Sequence, residues 1–403
     1  MKRVLALMMI VTVMLAFVGC GAPAAKETDK DPQTSTNGND PVQDALQRGS
    51  KIGILCSPVS WGEENYRTVE KYIAEYGEDR FILSTLPDDA DTQTQITLAQ
   101  NMAMDPECTV IIFNEAVAGG ISAMNAARAA NPDIVIIAVN LNEEPIEVAS
   151  AADMACGKSL DAFATAVAQA AADKGLEVIS YMVPADTMGS TNNVTRIETM
   201  TKVGEELGVK VVVAVLPNQE DSTARSALEQ AAKEDVYNKT NEYGDKVGFF
   251  CASSFAYVPT MTGILECGKG YLLSVADPGP FTPVYCDVFG IVAPEENQLD
   301  LEWTNKAIAD KCIENGVVGR FGNWKFSFLS GFMSASIEFA MAYQAGEFER
   351  NDTKAWMSLF EKANNLQDGD YTYGPYEQDG KTYNNLVMLN GAIQFYGENL
   401  GVE

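Results

Sequence analysis

Short apolar runs alternate along the chain with stretches in which apolar residues recur every three or four positions. The run Thr109-Val-Ile-Ile-Phe113 shows no regular polar alternation, which is typical of a strand covered on both faces of a parallel sheet. The spacing of Tyr66, Val69, Ile73 and Tyr76 predicts an amphipathic helix. Strands that alternate with helices in this way predict right-handed βαβ crossovers. The predicted strands are residues 52–56, 81–83, 109–113, 134–139, 177–183, 209–215, 246–251, 271–275 and 316–321.

The alternation of strands and helices pauses at Leu141-Asn-Glu-Glu-Pro145 and then restarts. We interpret the pause as a crossing between two similar halves. The expected fold class is therefore α/β, with two doubly wound parallel-sheet lobes joined by a hinge. The expected lobe 1 is residues 50–143 together with about 322–403, and the expected lobe 2 is residues 144–321. Near the end of the chain, Asp379-Gly380 predicts the turn of a β-hairpin, and the role of this last segment stays open.

The first residues have the pattern of a signal peptide. Lys2 and Arg3 precede an apolar stretch at residues 4–17, which is shorter than the roughly 20 residues of a bilayer span. The stretch ends in Phe17-Val18-Gly19-Cys20, which is similar to the site where bacterial lipoprotein signals are cut and the cysteine is acylated. We therefore expect residues 1–19 to be a lipoprotein signal peptide.

The expected lipid attachment site is Cys20, followed by a flexible tether. Residues 20–49 are rich in Pro, Thr, Asp and Gly and contain few large apolar residues, a composition that does not form a core. These features predict a protein anchored by lipid to the cell membrane, on its extracytoplasmic face. The alternative is an ordinary secretory signal cut near Gly21-Ala22, with Cys20 incidental.

The charge of the chain limits the partners that it can have. Its 403 residues include 28 Lys and Arg against 56 Asp and Glu, which gives a formal net charge of −28. Nucleic acids bind basic patches, because their phosphates attract Lys and Arg. We therefore expect no nucleic-acid partner.

The absence of histidine limits the chemistry of the chain. Ser-His-Asp and Cys-His catalytic arrangements are impossible, and the commonest metal ligand is missing. The eight cysteines include no Cys-x-x-Cys pair, so the sequence predicts no metal site and no cofactor. We expect a protein that is not an enzyme. The disulfide state of the cysteines stays open, although Cys56 and Cys251 lie in apolar runs and are expected to be buried.

The order of the predicted elements resembles that of the type 1 periplasmic-binding proteins. Lys51-Ile-Gly-Ile-Leu55 looks like the first strand of that family, and residues 133–140 look like the last strand before the chain changes lobes. Gly319-Arg-Phe-Gly-Asn-Trp324, followed by a helix that ends in Gln344-Ala-Gly-Glu347, looks like the segment that recrosses the hinge. Within this fold the chain is most similar to bacterial lipoproteins that share a domain of unknown function.

Polar and aromatic residues that follow the strands are the candidates for ligand binding. Ligands of open α/β sheets lie beyond the carboxyl ends of the strands, and two facing lobes place two such edges across one cleft. We expect Trp61 and Trp324 to be aromatic walls of that cleft, with Asn140, Asp277 and Arg320 as hydrogen-bonding groups. The full set of expected ligand-binding residues is Ser57, Ser60, Trp61, Asn114, Asn140, Asp186, Ser253, Asp277, Arg320 and Trp324.

Each of these candidates also has an ordinary structural interpretation. Asn and Asp residues after strands often cap the next helix or set a turn. Ser60 could cap the helix that follows it, and Arg320 could pair with a surface carboxylate. The same strand ends also carry Glu64, Glu115, Asn142, Arg196 and Ser254.

The sequence contains one incomplete match to a phosphate-binding loop. Cys156-Gly157-Lys158-Ser159 resembles the end of a phosphate-binding loop, but the required upstream glycine is Ala152 and no strong strand precedes the motif.

Three functions remain open after these observations. The first is a solute-binding lipoprotein that closes two lobes on a small polar molecule and presents it to an ABC permease or a membrane sensor. The second is an extracytoplasmic enzyme on the same scaffold, using carboxylates such as Glu64 and Asp277. The third is a surface structural protein. A transcription regulator is disfavoured, because its basic helix-turn-helix would occupy the place of the acidic tether.

Lipid anchoring makes a direct prediction. When the chain is expressed in a bacterial host fed radioactive palmitate, the protein is expected to take up label at Cys20. The Cys20→Ala variant is expected to lose the label, because no other residue sits at the cut site. Equal labelling of the two proteins would contradict the lipoprotein interpretation.

Overall fold

The structure, a computed structural model, describes residues 50–402 except Gly62, Asp89, Ala90, Glu220, Asp221 and Asp379. The expected signal peptide, Cys20 and the tether therefore lie outside the described residues. None of the helices in the described part of the chain combines the length and the apolar character that a membrane span requires.

Thirteen strands and twelve helices form the described part of the chain. The strands are β1 Lys51–Cys56, β2 Phe81–Thr85, β3 Cys108–Phe113, β4 Val135–Val139, β5 Met154–Lys158, β6 Val178–Pro184, β7 Lys210–Leu216, β8 Val247–Cys251, β9 Tyr271–Val275, β10 Gly322–Asn323, β11 Tyr371–Gln378, β12 Lys381–Gly391 and β13 Gln394–Phe395. The helices are α1 Glu64–Tyr76, α2 Thr92–Met104, α3 Gly120–Ala130, α4 Pro145–Ala151, α5 Leu160–Asp173, α6 Thr191–Leu207, α7 Ser222–Tyr243, α8 Ser254–Cys267, α9 Pro283–Phe289, α10 Leu301–Glu314, α11 Phe328–Ala345 and α12 Thr353–Ala363.

Two separate sheets define two lobes. Sheet 1 has the strand order β11-β12-β5-β4-β3-β1-β2, and all its neighbours are parallel except the hairpin of β11 and β12. Sheet 2 has the order β7-β6-β8-β9 and is wholly parallel. The expected α/β class with two parallel-sheet lobes is confirmed, as is the hairpin whose turn includes Gly380.

The strand pairing places the first crossing between lobes later than expected. β5 pairs with β4 in sheet 1, so lobe 1 continues through Lys158 and does not end at residue 143. The sequence Met-Ala-Cys-Gly-Lys of β5 carries little branched apolar character, and for that reason the strand was not predicted.

The return from lobe 2 also differs from the expectation. Residues 316–321 are mostly turn, because Gly316 and Gly319 have positive φ angles of 67° and 71°, and only Phe321 makes a bridge, to Leu272 of β9. At the other end, β13 pairs with β10, and Leu400 is buried in the core of lobe 2. The last residues therefore belong with lobe 2, although they were expected in lobe 1.

Strand β7 is less buried than its run of branched apolar residues predicts. Val213 and Val215 of β7 are 37% and 53% exposed. β7 is the edge strand of sheet 2 and pairs only with β6, so a run of branched residues here does not mean burial on both faces.

The cysteines of the described part are all free thiols, and none is joined in a disulfide. Cys56 and Cys251 are fully buried, as their apolar surroundings in the sequence predict.

A buried aromatic cluster joins the two lobes where the chain recrosses. Trp324 is fully buried, with its ring centroid 5.4 Å from that of Phe163 and 5.2 Å from that of Phe326. These rings belong to one continuous core that includes side chains of both sheets. Such ring pairs stabilise a core beyond the area that they bury. The close approach requires Gly391, since a Cβ atom added there would lie 2.6 Å from the Trp324 ring.

This contact makes a stability prediction. Gly391→Ala is expected to lower the free energy of unfolding by about 1–3 kcal/mol, because the buried indole must move to make room for the methyl group. Gly374→Ala, in the other strand of the same hairpin, is the matched control, since no atom lies within 4 Å of its added Cβ. Urea unfolding of the two variants measures the difference, and equal stability would contradict the role given to Gly391.

Candidate functional site

The carboxyl ends of the two sheets face each other across a cleft. Ser57 follows β1, Glu115 lies two residues after β3, Asn140 follows β4, and Asp277 lies two residues after β9. All four line one cavity of about 540 Å³ between the lobes. Parallel strands end at the same edge of a sheet, which explains why residues distant in sequence meet here.

We name this cavity the acidic chamber. Its lining contains five carboxyl groups, Glu63, Glu64, Glu115, Asp277 and Asp287. Three aromatic side chains, Trp61, Tyr257 and Phe281, and the amides of Asn65 and Asn140 complete its main walls. Among the described residues that line the acidic chamber, none is Lys or Arg.

A second cavity, of about 370 Å³, shares Asp277 with the first and has the opposite character. We name it the basic chamber. Its cations are Lys158 and Arg196, and its polar wall consists of amides and hydroxyls from Asn142, Thr187, Ser190, Asn192, Asn193 and Gln219. The cleft therefore separates positive from negative side chains into neighbouring spaces.

An ion pair between the lobes lies at the boundary of the two chambers. The Lys158 Nζ atom lies 2.7 Å from Asp277 Oδ1 and donates to the backbone oxygen of Ala276 at 3.0 Å. It also lies 4.2 Å from the centre of the Phe328 ring. Burial lowers the pKa of Lys158, and Asp277 opposes this shift. Burial acts to raise the pKa of Asp277, but the charge and hydrogen bond of Lys158, together with the charge of Arg196, hold that pKa below its usual value.

Glu115 lies close to this ion pair and has a raised pKa. Burial raises its pKa to about 7, and the negative charge of Asp277 adds to the shift, while Lys158 opposes it. The Asn140 amide donates to Glu115 Oε1 at 2.9 Å. Asn140 has a φ of 51°, in the left-handed region that Asn tolerates better than most residues, and this conformation carries its side chain toward Glu115.

Glu64, at the first position of α1, holds the start of α11. Its Oε1 accepts the hydroxyl of Ser327 and the backbone N–H of Ser330, the latter at 2.9 Å. Burial nevertheless raises the pKa of Glu64, with these hydrogen bonds opposing the shift. A carboxylate at this position is stabilised by the first turn of the helix that it caps.

A chain of buried polar groups lies behind the wall of the acidic chamber. Asn65 donates to Ser57 Oγ at 3.1 Å, and Ser57 donates to Asn114 Oδ1 at 3.4 Å. The Oδ1 atom of Asn65 and the Nδ2 atom of Asn114 are buried and have no hydrogen-bond partner among the described residues. A buried polar atom without a partner is costly and therefore marks a place where a partner is expected.

Arg196, on α6, is the corresponding feature of the basic chamber. It is 5% exposed, and its Nε atom has no hydrogen-bond partner in the described part of the chain. Burial raises the pKa of Tyr181 to about 12, and the neighbouring Arg196 opposes this shift. The Tyr181 hydroxyl donates to Asn193 Oδ1 at 2.9 Å.

Several sequence-predicted residues come together at the cleft. Ser57, Trp61, Asn140 and Asp277 line the acidic chamber. Ser60 lies in the turn before α1, but its side chain is outside the described ones.

The other predicted residues near the cleft stand behind its walls. Asn114 is fully buried beneath Ser57. Ser253 and Asp186 hold Gln219, a residue of the basic chamber. The Ser253 hydroxyl donates to Gln219 Oε1 at 2.8 Å, and Asp186 accepts the Gln219 N–H at 2.9 Å.

Two predicted residues lie away from the cleft. Arg320 forms a two-bond ion pair with Asp245, at 2.6 and 3.2 Å, and donates to the Gly270 oxygen. Asp245 and Gly270 precede β8 and β9, so Arg320 is at the amino ends of these strands, opposite the cleft. Trp324 lies in the core between the lobes and forms no wall of either chamber.

The sequence predictions missed some residues of the site. Lys158 is the last residue of β5, a strand whose weak apolar pattern contributed to our rejection of the motif that contains it. Tyr257 and Phe281 project from α8 and from the loop before α9, and their sequence neighbours give no sign of a cleft. Among the described residues, no three His, Cys, Asp or Glu side chains cluster as a metal site would require.

Comparison with known proteins places the chain among others of this fold. The family model described as "Protein of unknown function (DUF3798)" matches residues 50–322, more than half of the chain. No curated protein matches significantly. A crystal structure from Clostridium difficile 630, provisionally described as a transcriptional regulator, is 18% identical, with a TM-score of 0.74 over 86% of this chain and 99% of that chain. At this identity the likeness establishes the fold alone.

More distant solved structures include two solute-binding proteins of ABC transporters. One, from Actinobacillus succinogenes 130z with bound D-allose, is 15% identical, with a TM-score of 0.48 over 74% of this chain and 93% of that chain. The other, from Bacillus halodurans C-125 with bound myo-inositol, is 16% identical, with a TM-score of 0.47 over 75% and 90%.

The raised pKa of Glu115 predicts a pH-dependent effect on stability. At a pH well below the ordinary carboxyl pKa, the Glu115 side chain is neutral in the folded and in the unfolded protein. As the pH rises to about 7, the unfolded protein loses this proton more readily than the folded protein does, so the free energy of unfolding decreases. Glu115→Gln removes that decrease and keeps an acceptor for Asn140. The variant is therefore expected to gain about 2–3 kcal/mol in free energy of unfolding, relative to the unaltered protein, between pH 5 and pH 8.

Urea unfolding at the two pH values measures this gain. Glu266→Gln is the control, because hydrogen bonds from Lys233 and Tyr237 lower the pKa of that exposed carboxyl. A gain for Glu115→Gln that is the same at both pH values would contradict the assignment.

Proposed function

This chain belongs to the DUF3798 family, and we propose that it is a solute-binding protein whose two lobes hold a small polar molecule in the cleft between them. The observation that carries this proposal is the lining of the acidic chamber by both lobes. Trp61, Glu64 and Glu115 come from lobe 1, and Tyr257 and Asp287 come from lobe 2. A molecule held there contacts both lobes at once, and only one relative position of the lobes provides all these contacts.

The polar groups of the cleft have the character of a ligand site. Asn65 lines the acidic chamber and Arg196 lines the basic chamber, and each has one buried polar atom without a hydrogen-bond partner among the described residues. Structural polar groups that deep in a protein are normally satisfied, whereas groups kept for a ligand are satisfied only when it is bound. Asp277 borders both chambers, and 55% of its side chain is accessible, so its carboxylate can meet a solute from either side.

The proposal includes a location and a partner. The sequence at Cys20 supports anchoring by lipid at the extracytoplasmic face of the cell membrane, with residues 20–49 as the tether. A tethered binding protein would present its solute to a membrane permease, such as that of an ABC transporter, or to a membrane sensor.

An enzyme on the same scaffold is the alternative that the cleft keeps open, because Glu115 and Glu64 are carboxyl groups with raised pKa values in a cavity. A binding protein returns its solute unchanged, whereas an enzyme releases a product. Analysis of the solute recovered after incubation separates the two.

Solute binding is tested by thermal unfolding of the full chain with a panel of amines, amino acids, sugars, polyols and carboxylates. At least one solute is expected to raise the melting temperature in proportion to the logarithm of its concentration, since a ligand that binds only the folded state stabilises it by mass action. Asp277→Asn is expected to weaken that binding by about tenfold or more, because a charged hydrogen-bond partner is lost.

The matched control is Asp245→Asn. Asp245 is also an aspartate of lobe 2 paired with a cation, Arg320, but it lies away from the cleft. Its replacement is expected to leave solute affinity unchanged. If no solute of any class shifts the melting temperature, the solute-binding proposal fails. If both variants bind equally well, the assignment of the site to the cleft at Asp277 fails.

A further inference from the structure

The acidic chamber has more negative charge than the protein itself neutralises. Of its five carboxyl groups, Asp277 is paired with Lys158, Glu63 is paired with Arg67 at the surface, and Glu64 accepts hydrogen bonds from Ser327 and Ser330. Glu115 has only neutral hydrogen-bond partners among the described residues, the Asn140 amide and the Ser57 hydroxyl. Its cationic neighbour Lys158 is already engaged by Asp277, at 2.7 Å. Glu115 therefore faces a cavity without a cation of its own.

From this arrangement we propose that the acidic chamber binds the primary ammonium group of a small organic amine, with Glu115 as its carboxylate partner. The proposal deepens the solute-binding function put forward above and rests on it, because it names the chemical class of the solute.

The aromatic residues of the chamber favour an organic cation over a sugar. Tyr257 is 5% exposed and Trp61 is 43% exposed, and the exposure of Phe281 is intermediate. Ring faces attract cations that lie within about 6 Å, and they also cover the hydrocarbon part of an amine. With Leu329 and Val258 in the same wall, the chamber combines apolar surface with negative charge. A small inorganic cation would be held by oxygen atoms alone and would leave this surface unused.

Asn65 is an independent indication of the chemical group that the acidic chamber binds. It is 4% exposed and lines the chamber, and its Oδ1 atom is an acceptor without a donor among the described residues. An ammonium group offers three N–H donors, enough for a carboxylate and an amide oxygen together. A carboxylate or phosphate solute would bring further negative charge to a wall that already has five carboxyl groups.

Amine binding is expected to release protons near neutral pH. Burial and the charge of Asp277 raise the pKa of Glu115 to about 7, against the opposing charge of Lys158. The other titratable group close to Glu115 is the Cys56 thiol, whose pKa burial raises to about 12, so it stays neutral. A bound ammonium favours the ionised carboxylate, and affinity should therefore increase as the pH rises from 6 to 8.

The experiment compares matched probes by calorimetry and thermal unfolding on the full chain. Putrescine carries two primary ammonium groups, 1,4-butanediol has the same length without charge, and succinate carries the opposite charge. We expect putrescine to bind at least tenfold more tightly than either analogue, with proton release at pH 7. Choline, a cation without N–H donors, is expected to bind more weakly than putrescine.

Two substitutions test whether putrescine binds in the acidic chamber. Glu115→Gln is expected to weaken putrescine binding by about tenfold to a hundredfold, since a charge-assisted hydrogen bond becomes a neutral one. Asp235→Asn is the matched control. Asp235 is also a half-buried carboxyl with a raised pKa, and it accepts the Ser180 hydroxyl at 2.6 Å in lobe 2, away from both chambers. Its replacement is expected to leave putrescine affinity unchanged.

Two results would overturn the amine assignment. One is binding of 1,4-butanediol or succinate as tight as that of putrescine, and the other is an affinity for putrescine that Glu115→Gln leaves unaltered. If solutes of another class in the wider panel bind while putrescine does not, the amine assignment fails and the solute-binding function stands. If no solute of any class binds, both fail.

Discussion

The ion pair between Lys158 and Asp277 is the interaction on which the geometry of the cleft depends. It joins the end of β5 in lobe 1 to the loop after β9 in lobe 2, with the Lys158 side chain only 8% exposed. An ammonium group removed from water costs several kcal/mol unless a carboxylate compensates it. Loss of Asp277 would therefore leave the buried Lys158 charge uncompensated between the lobes, and the pair holds the two sheet edges at one separation.

The same pair divides the cleft by charge. Asp277 takes up the charge of Lys158, so Glu64 and Glu115 on one side of the pair have no ion-pair partner among the described residues, and Arg196 on the other side has a donor without a partner. Burial, with the negative charge of Asp277, raises the pKa of Glu115 to about 7. The buried rings around Trp324 meanwhile hold the lobes together where the chain recrosses. The molecule therefore combines an apolar joint between the lobes with a polar cleft whose charges and hydrogen bonds are incompletely paired.

Most of the architecture follows from local patterns, and the failures have identifiable causes. Runs such as that of β4 were predicted because branched apolar residues favour central strands. β5 was missed because Met-Ala-Cys-Gly-Lys has neither branched residues nor alternation, and parallel pairing with β4 and β12 decides its conformation. Residues 316–321 have strand-like composition, but Gly316 and Gly319 turn the chain. In β7, the position at the sheet edge outweighs the composition.

The sequence by itself determined the alternation of strands and helices, and with it the edge of each sheet where polar residues collect, because both depend on neighbours within a few positions. Ser57, Asn140 and Asp277 were found for that reason. Only the tertiary structure decided that Lys158 meets Asp277, 119 positions away, that Trp324 is buried between the lobes, and that Arg320 lies at the opposite ends of the strands. Such pairings depend on how two lobes pack and on where charges find partners, and no local pattern carries that information.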